Sequence, residues 1–319
     1  MNRRTLLAWL SASSAPLPSM AADPWPSKPV TLVVPSSAGG GTDAFARVLA
    51  QQLSEALKQT VIVDNRAGAS GNVGADIVAR SSPDGYTLLL TASAAVAINP
   101  ALFQKMPFDA ERDLLPIARG VSSPYVLLAS PSLKVSSLEA FVALAKKEPG
   151  KLAFGSAGVG TVPYLGVRML EEATGTHFLH VPYKGLAPAF QDLIGGQLGF
   201  ILSDLASAAA HLNRFTPLAI SERLPAYPKL PTFAEAGYPG VRPNNYFSLL
   251  APAGTSPAIL SRMSTEVNAA MRKPAVAAKL EQLGLLPVFD TPESFAKTLK
   301  EERAAWAAFI RRNGIKQGD

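Results

Sequence analysis

Two glycine-rich loops carry the residues whose types and spacing could do chemistry: Ser36-Ser37-Ala38-Gly39-Gly40-Gly41-Thr42-Asp43 and Gly155-Ser156-Ala157-Gly158-Val159-Gly160-Thr161. Each follows a β-like apolar run and opens an amphipathic helix. Unpaired backbone N–H groups and the positive end of the helix dipole therefore point at whatever lies in front of the loop. Glycine admits close backbone approach, and Ser36, Ser37, Thr42, Ser156 and Thr161 add hydroxyl donors. Such a set suits an anion. Neither loop contains Lys or Arg, so the charge would be met by neutral donors and dipoles. One helix end offers about 0.3–1 kcal/mol, whereas a micromolar ligand needs about 8 kcal/mol, so both loops and several hydrogen bonds must act together. The bland alternative is a tight turn in which Thr42 or Asp43 merely caps the helix. The recurrence of the loop in two places favours a ligand.

Asp204, after an apolar run, either accepts from a ligand hydroxyl, amine or water or caps the Ser/Ala-rich helix that follows it. Lys184 and Arg66 are nearby cations that read as solvated or structural residues. The rival chemistry is a dinucleotide site. Gly39-Gly40-Gly41-Thr42-Asp43-Ala44 satisfies Gly-x-Gly-x-x-Ala after a strand, and Asp64 ends the next strand. Against it, residues 35–38 lengthen the turn before the first glycine. Other enzyme signatures fail: there is no Gly-x-Ser-x-Gly elbow, paired-His zinc motif or P-loop lysine, and Ser294 and Lys297 lack the motifs that accompany Ser-x-x-Lys. Cysteine is absent, which excludes disulfides and thiolate chemistry. His177 and His180, three apart in a β-like run, project to opposite faces and read as packing residues. The expectation is no catalytic residue, no metal and no cofactor.

Positioning these loops requires two α/β units. The spacing predicts strand 28–34, a helix with Phe45, Val48, Leu49, Leu53 and Leu57 on one face, strand 60–64, a helix with Asn72 as N-cap, and strand 86–90. This is βαβαβ. After strand 125–129, Ser136 and Glu139 read as a capping box for a helix ending at Pro149-Gly150. Strand 151–154, a helix with Pro163 in its first turn, strand 177–181, helix 187–194, strand 197–202 and strand 217–220 build the second unit. Strand 247–251 and helices opened by Ser256-Pro257 and Thr291-Pro292 must then return to the first. The fold class is α/β in two lobes, each a mostly parallel sheet flanked by helices. Residues 22–123 and 226–319 form one lobe and 124–225 the other. Ligands of open parallel sheets bind beyond the carboxyl ends of the strands. Five loops should therefore face one cleft: 36–43, Thr91 to Ser93, 155–161, Tyr183 to Gly185, and Ser203-Asp204. The candidate ligand-binding residues are Ser36, Ser37, Gly40, Gly41, Thr42, Asp43, Thr91, Ser93, Gly155, Ser156, Ala157, Gly158, Thr161, Tyr183 and Asp204.

Arg3 and Arg4, a short apolar stretch and Ser19-Met20-Ala21 read as a signal peptide cleaved after Ala21, leaving 319 − 21 = 298 residues. The formal charge of +6 falls to +4 without Arg3 and Arg4, and the positives are dispersed, so nucleic acid is not an expected partner. A chain of this size, 48% hydrophobic, exceeds what one core comfortably serves, in keeping with two lobes.

Several motifs carry a resemblance: Trp25-Pro26-Ser27-Lys28-Pro29-Val30, Gly39 to Asp43, Asp64-Asn65-Arg66-Ala67-Gly68, Pro83-Asp84-Gly85-Tyr86-Thr87, Ile98-Asn99-Pro100, Gly155 to Gly158, Val181-Pro182-Tyr183-Lys184-Gly185 and Leu249-Leu250-Ala251-Pro252-Ala253-Gly254. In these, and in their order, the chain resembles the tripartite tricarboxylate transporter receptors, or Bug proteins. The resemblance implies a type II periplasmic-binding-protein (Venus-flytrap) fold. It also implies capture of a small organic carboxylate in the periplasm, for a membrane transporter or a sensor kinase, by a monomer. It implies that residues 40–43, residues 155–161 and Asp204 line the pocket. The chain departs from the family at Pro35-Ser36-Ser37-Ala38-Gly39-Gly40, which lacks the usual aromatic and second proline, and at Tyr164, where a histidine is usual.

Overall fold

In the computed structural model, residues 25–317 other than 184 are described. The expected leader, its cleavage point and Lys184 lie outside them. The elements are β1 (Val30–Val34), α1 (Gly41–Leu57), β2 (Val61–Asn65), α2 (Asn72–Ala79), β3 (Thr87–Ala92), a π-turn (Ala94–Ile98) continued by α3 (Asn99–Leu102), β4 (Leu114–Ser122), β5 (Tyr125–Ala129), α4 (Leu138–Lys147), β6 (Ala153–Ser156), α5 (Val162–Thr174), β7 (Leu179–Pro182), α6 (Leu186–Ile194), β8 (Phe200–Asp204), α7 (Leu205–Ala208), β9 (Thr216–Ile220), β10 (Tyr246–Pro252), α8 (Pro257–Arg272), α9 (Pro274–Gln282), β11 (Leu286–Pro287) and α10 (Pro292–Arg312).

Two sheets result, ordered β11-β4-β10-β3-β1-β2 and β7-β6-β8-β5-β9. β3-β1-β2 and β7-β6-β8 are parallel ladders, as βαβ crossovers demand. β10 pairs antiparallel with both β3 and β4, β11 with β4, and β5 with both β8 and β9. Four of the six strands in the first sheet and four of the five in the second therefore run the same way. The largely buried strands β3 and β5 are covered on both faces. Phe45, Leu49 and Leu53 of α1 bury the stripe read from the sequence against one face of the first sheet, where Met263 and Val267 of α8 join them. α10 covers the other face through Phe295, Leu299 and Trp306. In the second lobe Phe141, Phe154, Phe178 and Phe200 stack together. Each such ring, when fully buried, contributes about 1.5–3 kcal/mol by leaving water.

The chain passes from the first sheet to the second at Ser123-Pro124, between β4 and β5. On the way back, Thr232 and Phe233 still pair with Ile220 at the end of β9, and the chain reaches β10 through Asn245. The two crossings are tied together, Ser123 N donating to the Asn245 carbonyl at 2.8 Å. Five elements escape the sequence pattern: the π-turn, α3, β4, α9 and β11. The helix α4 is capped by Ser137, which accepts from Ala140 N, rather than by Ser136. α2 begins after Gly71, and Asn72 is buried within it, accepting from Asn99 Nδ2 at 2.8 Å.

Candidate functional site

Between the lobes lies a cleft of about 460 Å³ lined by Pro35, Ser36, Ser37, Thr42, residues 67–71, Thr91, Ala92, Ala94 and Ala95 from the first lobe and by Ala157, Gly160 and Thr161 from the second. No charged side chain is among them. Three helices present their first turns here. α1, α2 and α5 have Gly40, Gly71 and Thr161 as N-caps, and none receives a side-chain capping bond. By contrast α4, α8 and α10 are capped by Ser137, Ser256 and Thr291. No side chain takes the first-turn N–H groups of α1 and α5, whose positive dipole ends face the cleft; in α2, Asn72 N and Val73 N already donate to the Ala69 and Gly68 carbonyls. α6 also starts uncapped, at Gly185, but does not line the cleft.

The first glycine loop is braced from beneath. Buried Asp43 accepts from Gly39 N at 2.9 Å and Arg47 Nε at 3.0 Å through one oxygen, and from Asn65 Nδ2 at 3.1 Å through the other. Asn65 also donates to the Ser36 carbonyl at 3.1 Å. Burial pushes the Asp43 pKa up, but the Arg47, Gly39 and Asn65 bonds outweigh it and hold the group below its ordinary value. Asp43, expected to meet the ligand, lies outside the cleft lining and fixes the loop that lines it. Ser36 lines the cleft, and its buried Oγ has no hydrogen-bond partner among the described residues. Gly40 lies outside the lining, and a Cβ on it would meet only the Ser37 carbonyl at 3.8 Å, so close approach does not require glycine there. Gly41 likewise faces Phe247, not the cleft.

The second loop spends its hydroxyls on itself. Ser156, fully buried, shares a hydrogen bond of 2.8 Å with His180 Nε2 and accepts from Gly158 N at 3.0 Å. Thr161 Oγ1 donates to the Gly158 carbonyl at 2.7 Å. Burial, and secondarily Arg168, depress the His180 pKa, keeping the ring neutral. Gly155 is packed against Leu198 and Ala189 beneath α6. Gly160 and Ala157 reach the cleft, and Gly160 also meets the first lobe. With φ +86, its added Cβ would lie 2.1 Å from Leu102 Cδ2.

The remaining expected residues serve other ends. Thr91 lines the cleft, its Oγ1 bonded to the Ala92 carbonyl at 3.2 Å. Ser93 donates to Asn245 Oδ1 at 3.0 Å and so secures a crossing. Tyr183 donates to Asp192 Oδ2 at 2.6 Å; burial and that carboxylate push its pKa up to about 12. Asp204 caps α7 by accepting from Ser207 N at 2.8 Å, and burial raises its pKa. Asp64, the acid of the dinucleotide fingerprint, is paired with Arg66 at 3.0 Å. The segment 67–71 was missing from the candidate list although it too follows the carboxyl end of a strand, β2, and the same edge rule would have found it.

A model of the tripartite tricarboxylate transporter family receptor matches residues 45–315. The chain belongs to this receptor family. The receptor is 35% identical over 324 residues to protein BugT of Bordetella pertussis, with 99% of each chain covered. It superposes on the R. palustris protein Rpa4515, solved with adipate, with a TM-score of 0.84 at 33% identity, covering 92% of this chain and 99% of that one. For MatC of Rhodopseudomonas palustris, solved with malate, the TM-score is 0.78 at 30% identity, with 90% and 100% covered. The receptor accordingly has the two-lobed periplasmic-binding-protein fold and belongs to a family of solute-binding proteins rather than enzymes. The fingerprint at 39–44 gives way to that assignment.

Proposed function

We propose that the receptor captures a small organic carboxylate in the interlobe cleft, holding it by backbone N–H groups and hydroxyls from both lobes. The observation that carries this reading is the convergence of two uncapped helix N-termini, α1 from one lobe and α5 from the other, on a cleft without a charged side chain. Neutral donors in a secluded site can hold an anion because fixed dipoles replace its water shell. Adipate and malate in the two R. palustris relatives support the ligand class. The two lobes, between which the chain passes at Ser123-Pro124 and again at Asn245, would close about those crossings. The receptor would act as a monomer in the periplasm after removal of residues 1–21, delivering its solute to the membrane components of a tripartite transporter or to a sensor kinase.

A thermal-shift screen of the chain from Ala22 against mono-, di- and tricarboxylates, amino acids and NAD tests this. A ligand at one hundred times its Kd adds about 2.7 kcal/mol of stability. A shift with a carboxylate and none with NAD is expected. A shift with NAD alone would overturn the reading.

A further inference from the structure

The lobes also touch on the side of the hinge away from the cleft. In the first sheet the strands that lead into the crossings, β4 and β10, lie between the cleft strands β3-β1 and the edge strand β11. Gly284, in the turn joining α9 to β11, sits against the start of α7 in the second lobe. A Cβ on Gly284 would stand 3.0 Å from Ala206 N and 3.2 Å from both the carbonyl carbon and Cγ of Leu205. Its φ of +66 is in the left-handed region that glycine tolerates best. Beside this contact is an apolar cavity of about 90 Å³, lined from the second lobe by Leu205, Leu224 and Tyr227 and from the first by Leu285 and Leu286.

We infer that Gly284 sets the affinity of the receptor from behind the hinge, by determining how far the lobes can open. This rests on reading the cleft as a site that closes by rotation about the crossings. The bond from Ser123 N to the Asn245 carbonyl holds those crossings together, so the axis passes near them. Rotation that opens the cleft on the β3-β1 side brings β11 and α7 together on the other. Two of the three nearest atoms facing Gly284 are backbone at the start of a helix, so a rotamer change alone cannot make room for an added methyl. Substituting Gly284 therefore penalises the open state more than the closed one. A ligand that binds the closed state then spends less of its binding free energy on closure.

The chain has no cysteine, which allows selective labelling. Ile62→Cys on β2 and Leu179→Cys on β7 place spin labels at exposed positions on the two edge strands that flank the cleft. Pulsed-EPR distances are then recorded without ligand, and adipate binding is titrated by calorimetry. Gly284→Ala is expected to move the distance distribution toward shorter values and to tighten adipate about threefold or more. An unchanged distribution with a lower Tm would mean simple backbone strain and would overturn the inference. If Gly284→Ala does not fold, Ala226→Trp at the cavity rim fills the same gap and should produce the same shift; an unchanged distribution there overturns the inference equally. A shifted distribution in a protein that binds no carboxylate would uphold the hinge inference while overturning the proposed ligand class.

Discussion

The two glycine-rich loops look alike in sequence and divide their labour differently in the fold. In the first, a buried carboxylate, Asp43, does the internal bracing, which leaves Ser36 Oγ unpartnered at the cleft. In the second, the hydroxyls of Ser156 and Thr161 brace the loop themselves, and what remains for a ligand is backbone. The same Ser/Thr/Gly composition can thus supply side-chain donors in one place and merely shape the main chain in another. What decides is whether a neighbouring side chain already satisfies the loop.

The largest effect should come from removing the brace of the first loop. Asp43→Ala removes the acceptor shared by the Asn65 amide, Arg47 and Gly39 N–H, and is expected to cost about 1–3 kcal/mol of stability by chemical denaturation. Adipate affinity should fall at least about tenfold as the loop loses its shape. Retention of full affinity would show that the loop does not need its carboxylate.

Next is the contact that joins the second loop to the first lobe. Gly160→Ala places a methyl where Leu102 Cδ2 lies and strains a left-handed residue. Closure should be hindered and affinity reduced about tenfold by calorimetry. Leu102→Ala in the same chain should recover most of the loss, because it vacates the clashing volume. Failure of the double variant to recover would place the effect in backbone strain.

A smaller and sharper contrast is between serines. Ser36→Ala is expected to weaken binding by about 0.5–1.5 kcal/mol, roughly twofold to twelvefold, with Tm unchanged, since no internal bond is lost. Ser156→Ala should do the reverse, lowering stability by about 1 kcal/mol while affinity moves less than about twofold. Exchange of these outcomes would reverse the assignment of the loops.

The smallest effect concerns His180. Its folded-state pKa lies below the unfolded value, so the unfolded chain binds the proton more readily. The stability contributed by the neutral ring is present above the unfolded pKa and is lost as pH falls through the depressed folded value. Urea titrations should show wild type losing stability below about pH 6.5 more steeply than His180→Gln. Parallel profiles would remove His180 from the acid response.

The strands and helices that hold the cleft were legible because their patterns are strong: β-branched apolar runs for β1 and β2, a 3.6-residue stripe for α1, Ser256 and Thr291 before proline for α8 and α10. β4 was hidden because Pro116, Arg119 and Gly120 interrupt its apolar run, and its pairing with β10 carries two register shifts. Arg119 within the sheet is paired with Asp290 at 2.6 Å, a partner 171 residues away that no local pattern reveals. For the site, the edge rule brought three of five loops to the cleft. Asp204 took the helix-capping role that its position already offered, but the edge rule could not foresee that Tyr183 and Ser93 would be claimed by Asp192 and Asn245. Those are tertiary bonds to polar residues whose placement depends on the finished fold.

Calorimetric titration of the best-bound carboxylate against its primary amide tests most directly whether uncapped helix N-termini recognise the charge. The amide keeps the shape and removes the anion. The account predicts that the carboxylate binds at least about one hundredfold more tightly, a difference near 2.7 kcal/mol. Equal affinities would mean that the cleft reads shape alone and that the dipoles and N–H groups facing it are not what selects the ligand.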